Sequence, residues 1–430
     1  MADLLIRNAT LPDGRTGIDV LVAHGRIVNV ARNINAAAGL TIDAEAQLLT
    51  PPFVDAHFHM DSALTYGTPR VNQSGTLLEG IALWGELKPQ LTQESIVARA
   101  LAYCDWAVAK GLLAIRSHVD VGDPSLRAVE ALLHVRERVK PYLDLQLVAF
   151  PQDGLLRRAG ALDNLKRALM MGVDVVGGIP HLERTSAEGA ESVKLLCELA
   201  ANEGRLVDMH CDETDDPQSR HVETLAFHAQ RLGLKRRVTG SHLTSMHSMD
   251  NYYVSKLMAL MAEAELHATP NPLINITIQG RHDTYPKRRG MTRVPELRNA
   301  GINVSFGQDC VLDPWYPLGQ GCMLEVANMG VHAAPMTSRE TMRWCFDAVT
   351  VNPAKAMHLE SYGLEKGCYA DMVVLQARDP IEAIRLKPAR LFVIRRGAVI
   401  AETAERLTKL HLEERPKSVN FASYAPRSVF

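Results

Sequence analysis

The chain lacks a paired-cysteine framework. Its seven cysteines are odd in number, scattered, and include no CxxC pair. They fit reduced thiols better than disulfides, and they leave any metal to histidine and carboxylate. Charge of one sign is also missing: 47 Lys and Arg stand against 49 Asp and Glu, a formal net of -2. That removes the electrostatic reason to expect nucleic acid or an acidic membrane as a partner. No apolar run approaches the roughly 20 residues of a bilayer span. The opening MADLLIRNAT has no basic segment followed by a long apolar stretch, so no secretory signal is expected and a cytoplasmic setting is. Internal repeats, low-complexity tracts and a Pro-rich linker are absent too.

What is present is a change of pattern along 430 residues, a length that barrel enzymes commonly reach. The stretches LLIRNA, DVLVAHGRIVNVA and LTIDA are rich in β-branched residues and broken by PDG and HG turns. They predict short strands. ADMVVLQA and LFVIRRGAVIAET have the same character near the other end, with a hairpin expected at RRG. Between these ends, strands alternate with helices. The predicted strands are 54–59, 114–120, 143–150, 173–179, 206–212, 238–243, 265–270 and 303–309. Helical stretches such as TQESIVARALAYCDWAVAKG separate most of them. Eight strands in that alternation predict an α/β fold: a (β/α)8 barrel with a small β-sandwich built from both chain ends. The expected division is 1–49 and 361–415 for the two parts of the sandwich, 50–360 for the barrel, and 416–430 for a C-terminal tail that docks or frays.

Chemistry-bearing residues fall at strand ends. His57 and His59 are two apart, so on a strand both imidazoles face one side. His210 ends the fifth strand, His242 the sixth and Asp309 the eighth. A barrel delivers such side chains to one mouth. Four histidines and an aspartate at four strand ends predict a metal site, with donors suited to zinc or ferrous iron. A bound divalent ion lowers the pKa of water from 15.7 towards about 7, which provides a nucleophile for an electron-poor ring carbon bearing an amino group.

Other residues stay open at this level. Glu213 follows His210 by three, so simple alternation puts it on the opposite face. It reaches the site only where the strand has ended and the chain turns; otherwise it is a loop carboxylate or a partner for Arg220. A carboxylic acid beside a metal can protonate a ring nitrogen and then a departing amine. Gln152 can read a ring N–H and C=O together, or simply satisfy nearby backbone. Trp315 can wall a flat ring or sit in the core. His118 has a supporting role or a packing role. The basic run KRRG at 287–290 reads as a solvated loop or subunit contact.

Seven blocks carry a resemblance: PPFVDAHFHMD, NQSGTLLEGI, LVAFPQDG, DVVGGIPHLE, HCDETDDPQSR, TYPKRRGMTRV and INVSFGQDCVLDPWYPLG. Over about residues 40–330 the chain resembles the bacterial cytosine deaminases of the amidohydrolase superfamily. The resemblance implies that His57, His59, His210 and Asp309 hold one divalent ion, iron(II) or zinc. It implies that His242 hydrogen-bonds the attacking water, that Glu213 shuttles the proton, that Gln152 binds the pyrimidine, and that Trp315 lines its pocket. It also implies a homo-oligomer and a small pyrimidine base as substrate, cytosine or 5-methylcytosine, hydrolysed to uracil or thymine plus ammonia. One departure bears on the substrate: the residue after the metal-binding aspartate is Cys310 where the family commonly has a second aspartate, and Gln308 stands where relatives carry His. Cys310 is therefore expected at the substrate, and 5-methylcytosine to be accepted.

Two neighbouring chemistries do not fit. The zinc deaminases of nucleosides carry HxE with a later PCxxC, and no PCxxC occurs here. Binuclear relatives use a modified Lys at the fourth strand's end, where this chain has GGIPHLE. The competing expectations are a deaminase of isoguanine, creatinine or an aminotriazine, and a catalytically inactive binding scaffold.

Overall fold

The computed structural model describes residues 2–419 and residue 421. Most of the expected C-terminal tail lies outside the described residues. Eight parallel strands form one sheet, each hydrogen-bonded to its neighbours in chain order. They are Phe53–Phe58, Leu112–Asp120, Asp144–Phe150, Val175–Gly178, Leu206–Cys211, Val238–His242, His267–Thr269 and Asn303–Val304. Helices cover the outside, and buried Val, Leu, Ile and Ala fill the space between the layers.

Expected strand ends shift by at most two residues, except at the eighth strand. There the regular ladder stops at Val304, and the chain rejoins its neighbour only through a bridge between Phe58 and Asp309. Asp309 N donates to His57 O at 2.8 Å, and His59 N donates to Asp309 O at 3.0 Å. Asp55 spans the same seam, with Oδ1 accepting from His57 N and Gln308 N at 3.1 Å each. The sheet thus closes on itself at the residues expected to hold the ion.

Beside the barrel stand two four-stranded sheets. Ala2–Ala9, Ile18–Ala23, Arg26–Ala31 and Ala38–Asp43 form one. Leu48–Thr50, Met372–Leu375, Arg390–Arg395 and Ala398–Glu402 form the other. The pairs are antiparallel except Ala2–Ala9 with Ala38–Asp43. Leu4, Ile6 and Val20 from the first pack with Met372, Val374 and Ile394 from the second. The RRG hairpin turns on Arg396 (φ 50°) and Gly397 (φ 80°), the pair of positive φ values that suits a two-residue hairpin. Among the described residues no helix is long and apolar enough to cross a membrane.

A charged pair, Arg116 and Asp208, is fully enclosed. Arg116 precedes His118 by two on the second barrel strand, so it points inward one layer deeper. Its Nη1 donates to Asp208 Oδ2 at 2.9 Å, Nε to Gln146 Oε1 at 2.7 Å, and Nη2 to Ala356 O at 2.8 Å. Removing one partner of a buried pair strands the other without compensation. Arg116→Met should therefore destabilise the fold by about 3–5 kcal/mol, read from the midpoint of urea unfolding. A loss below about 1 kcal/mol, the worth of an exposed pair, would show that Asp208 does not depend on Arg116.

Candidate metal centre

The donor atoms of the strand-end residues converge. His59 Nε2 and His210 Nε2 face each other at 2.9 Å. Asp309 Oδ1 lies 3.5 Å from His57 Nε2 and 3.4 Å from His59 Nε2. All four side chains are buried. Two overlapping quartets, each with donor atoms mutually within 4.8 Å, share His57 and His210. One adds His59 and His118, the other His242 and Asp309. Neither quartet holds all four expected ligands: His59 stands in the first and Asp309 in the second, 3.4 Å apart.

The protonation pattern fits a cation. Burial lowers the pKa of His57, His59, His210 and His242 well below the usual histidine range, so all four are neutral and offer lone pairs. His57 adds a tautomer argument. Ser241 Oγ donates to Asp208 Oδ1 at 2.7 Å, so it accepts from His57 Nδ1 at 2.9 Å. The proton of His57 is thereby placed on Nδ1, and Nε2, which has no hydrogen-bond partner, carries its lone pair into the cluster. Neutral nitrogens and one carboxylate around a common point fit a single divalent ion.

Three of these strands end in left-handed backbone. Asp212 has φ 55°, His242 φ 68° and Asp309 φ 66°, a conformation that Asp and His tolerate better than most residues. Asp212 explains Glu213. The fifth strand stops at Cys211, the chain reverses at Asp212, and Glu213 swings onto the face that alternation denies it. Asp212 is pinned as it turns: its carboxylate accepts from His221 N, Val222 N and Ser219 Oγ at 3.0, 2.8 and 2.7 Å, at the start of helix His221–Arg231. Glu213 is buried, with Oε1 at 3.2 Å from His242 Nδ1. Burial, helped by the charge of Asp309, pushes its carboxyl well above the usual range, so it holds its proton. Arg220 is no partner for it; the guanidinium stacks on Tyr253 at 3.9 Å.

His242 is held between groups. Its Nδ1 also faces the side-chain amide of Asn275 at 3.0 Å, and its Nε2 faces Asp309 Oδ2 at 3.8 Å. Asn271 Nδ2 donates to Asp309 Oδ2 at 3.3 Å. His118 packs against His57 and His210, ring centroids 4.3 and 4.6 Å away, with Nε2 at 3.6 Å from Asp208 Oδ1.

A cavity of about 350 Å³ opens over the cluster, lined among others by Gln152, Glu213, His242, Cys310 and Trp315. Leu77, Ile179, Ile274 and Ile278 supply its apolar side. The Trp315 ring lies against Gly80, where a Cβ would fall 2.2 Å from its Cδ1. Gly80 lies in helix Leu77–Leu87, which the ring holds close over the mouth. Cys310 is buried, and burial beside carboxylates raises its thiol well above the usual range. The KRRG run is a loop with Lys287 and Arg289 exposed, braced by Arg288, which donates to Asp283 Oδ2 at 2.6 Å, Ser248 Oγ at 2.7 Å and Asp215 O at 3.0 Å.

Sequence reasoning missed Ser241, Asp208, Asn271 and Asn275. Asp208 carried a faint signal, since it lies two residues before His210 on the same strand; Ser241, next to His242, carried none. The asparagines, in helix Pro272–Ile278 and just before it, carried none.

Known proteins resemble this chain over most of its length. The 5-methylcytosine deaminase of Klebsiella pneumoniae, solved with phosphonocytosine, superposes with a TM-score of 0.92 at 43% identity, covering 94% of this chain and 100% of that one. N-isopropylammelide isopropyl amidohydrolase of Pseudomonas sp. is 29% identical over 93% of this chain and 97% of its own length. Pterin deaminase of Rhizobium rhizogenes is 27% identical over 93% and 94%. The pattern of the amidohydrolase family runs from residue 40 to residue 404, through every member of the histidine and aspartate cluster and both sides of the barrel seam; the chain belongs to that family.

Proposed function

We propose that the chain hydrolyses the exocyclic amine of a free pyrimidine base, converting cytosine to uracil and 5-methylcytosine to thymine with release of ammonia. One observation carries the reading: Glu213, buried and protonated, sits 3.2 Å from His242 in a cavity that also exposes the ligand cluster. That is an acid placed beside a nucleophile site. The 43% identical neighbour acts on 5-methylcytosine, which supports the same ring class. The close walls of the cavity, Leu77, Ile179, Ile274, Ile278 and Trp315, favour a base over a nucleoside.

In this reading His57, His59, His210 and Asp309 hold one divalent ion, iron(II) or zinc. When bound, such an ion acidifies water and makes it nucleophilic at neutral pH. Gln152 orients the ring, its amide pairing with N1–H and O2. Asp309 Oδ2 and His242 Nε2 take up the proton of the attacking water. Water oxygen adds to C4 while Glu213 gives its proton to N3. Glu213, now a carboxylate, takes up the proton held by His242, 3.2 Å away, and passes it to the amine; the C4–N bond breaks, ammonia leaves, and the proton of the new C4 hydroxyl restores Glu213 as the product carbonyl forms. Trp315 and the apolar side chains exclude bulk water. The seven unpaired thiols support a reducing, cytoplasmic setting, and a homo-oligomer belongs to the same proposal.

The ammelide and pterin relatives favour testing other amino-substituted rings alongside. Ammonia release from a panel of free bases decides among them. Release from aminotriazines or pterins alone would overturn the pyrimidine assignment.

The purified protein should contain about one divalent ion per chain, and His210→Ala should lose both the ion and turnover, because an open site both holds the ion and activates water. Full activity in a metal-free His210→Ala protein would end the assignment. Glu213→Gln should keep its metal, measured by elemental analysis, yet lose about 10²–10⁴ in rate, the usual worth of a general acid–base. Normal turnover in that variant would assign the proton to another group. Cys310 is smaller than an aspartate and neutral, which leaves room along the C5 edge of the ring. In Cys310→Asp the ratio of kcat/KM for 5-methylcytosine to that for cytosine should fall by at least about tenfold, within the 10–200-fold worth of a methyl contact. An unchanged ratio would remove Cys310 as the selectivity determinant.

A further inference from the structure

We propose that Asp153 is a positioning residue, tied by Lys88 to the second barrel strand, that holds Gln152 against the substrate ring. In the deaminase reading above, on which this rests, Gln152 pairs with the N1–H and O2 edge of the base. Gln152 and Asp153 stand side by side on a tight turn just past the third barrel strand. Gln152 N donates to Phe150 O at 3.0 Å and Gly154 N to Pro151 O at 2.9 Å. Gln152 lines the catalytic cavity, whereas Asp153 lines a larger neighbouring groove with Lys88 and Gly122. The turn is therefore a thin wall between two openings. Further along, Glu183 anchors the loop by accepting from Leu155 N and Arg157 N at 2.6 and 2.8 Å. The tip that carries Gln152 has Asp153 as its own anchor.

Lys88 Nζ donates to Asp153 Oδ2 at 2.9 Å and lies 2.8 Å from Asp120 Oδ2. Asp120 is a firm footing. It ends the second barrel strand and is buried. Its Oδ2 accepts from Trp84 Nε1 at 2.8 Å, its Oδ1 from Gly122 N at 2.7 Å, and its own N donates to Asp61 Oδ2 at 2.9 Å. Lys88 itself directly follows helix Leu77–Leu87, with its N–H bonded to Trp84 O. One ammonium thus joins the helix over the mouth, a barrel strand and the turn of Gln152. The other cation on Asp153, Arg158 at 3.2 Å, belongs to the same loop and ties the turn to nothing outside it.

Gly122 leaves the room this junction needs. A Cβ there would fall 2.9 Å from Asp120 Oδ1, 3.2 Å from Asp153 Oδ2 and 3.5 Å from Lys88 Nζ. A side chain at that position would wedge the two carboxylates away from the ammonium between them.

Asp153→Ala separates positioning from folding. Asp153 is partly exposed, and its loss leaves Lys88 paired with Asp120, so no buried charge is stranded. With metal content unchanged, kcat/KM for the base should fall by at least about tenfold, short of the roughly 10²-fold that a misplacement of about 1 Å can cost. Asp153→Asn, whose amide oxygen still accepts from Lys88, should recover most of that loss. In a Gln152→Ala background, Asp153→Ala should cost nothing further, because the side chain it positions is gone. An equal loss with and without Gln152 would overturn the proposal, and so would an Asn variant as slow as the Ala one. A second measurement needs no turnover: hydrogen-exchange protection of the Gln152 and Gly154 amides should drop in Asp153→Ala while strand Asp144–Phe150 keeps its own. Unchanged protection at the turn would overturn the proposal outright. A parent that deaminates no base would instead end the deaminase reading, with the exchange of the turn still reporting on the Lys88 tether.

Discussion

The barrel seam is the constraint on which the site depends. Closing an eight-stranded sheet requires the last strand to find the first, and here it does so through backbone bonds made by His57, His59 and Asp309 themselves. Three of the four expected ligands are therefore set by a β-bridge, not by loop conformation. A register slip of one residue would turn each of those side chains to the other face. Asp55 adds a second lock, receiving amide protons from both sides of the seam. The fold and the ligand geometry are one problem with one solution.

Polar groups buried next to the cluster carry the same logic inward. Asp208 receives Arg116 in one layer and Ser241 in the next, and Ser241 receives the His57 proton. Ser241 has one proton and gives it to Asp208, so the tautomer of His57 is fixed by a carboxylate to which His57 itself is not hydrogen-bonded. Such a chain is stable only when fully satisfied, because an unpaired polar group in the barrel interior is costly.

Much of this was legible in the sequence because period two is a strong signal. HxH, and single polar residues ending apolar runs, marked His57, His59, His210, His242 and Asp309. The same rule failed for Glu213, since it assumes that the strand continues; Asp212 in left-handed backbone ends it. The eighth strand was read too long for a related reason: 303–309 looks like one apolar run, but only Asn303–Val304 stays in the ladder. Trp315 could be read as wall or core, and its resting place on Gly80, more than two hundred residues earlier, is a fact of packing that no local pattern encodes. Ser241 and Asp208 looked like the small and polar interruptions common in strands. Their roles come from cross-strand neighbours, which are set by topology.

The short strand Leu48–Thr50 pairs with Met372–Leu375, and only Pro51 and Pro52 separate it from the first barrel strand. Synthesis runs from the N-terminus, and domains fold as their parts emerge. The two leading histidines leave the ribosome long before Asp309, which must close the seam, and longer still before the strands that complete the sandwich beside them. The nascent chain therefore carries an exposed HxH with no finished pocket for most of its translation. The donor cluster is complete only once Asp309 has closed the seam.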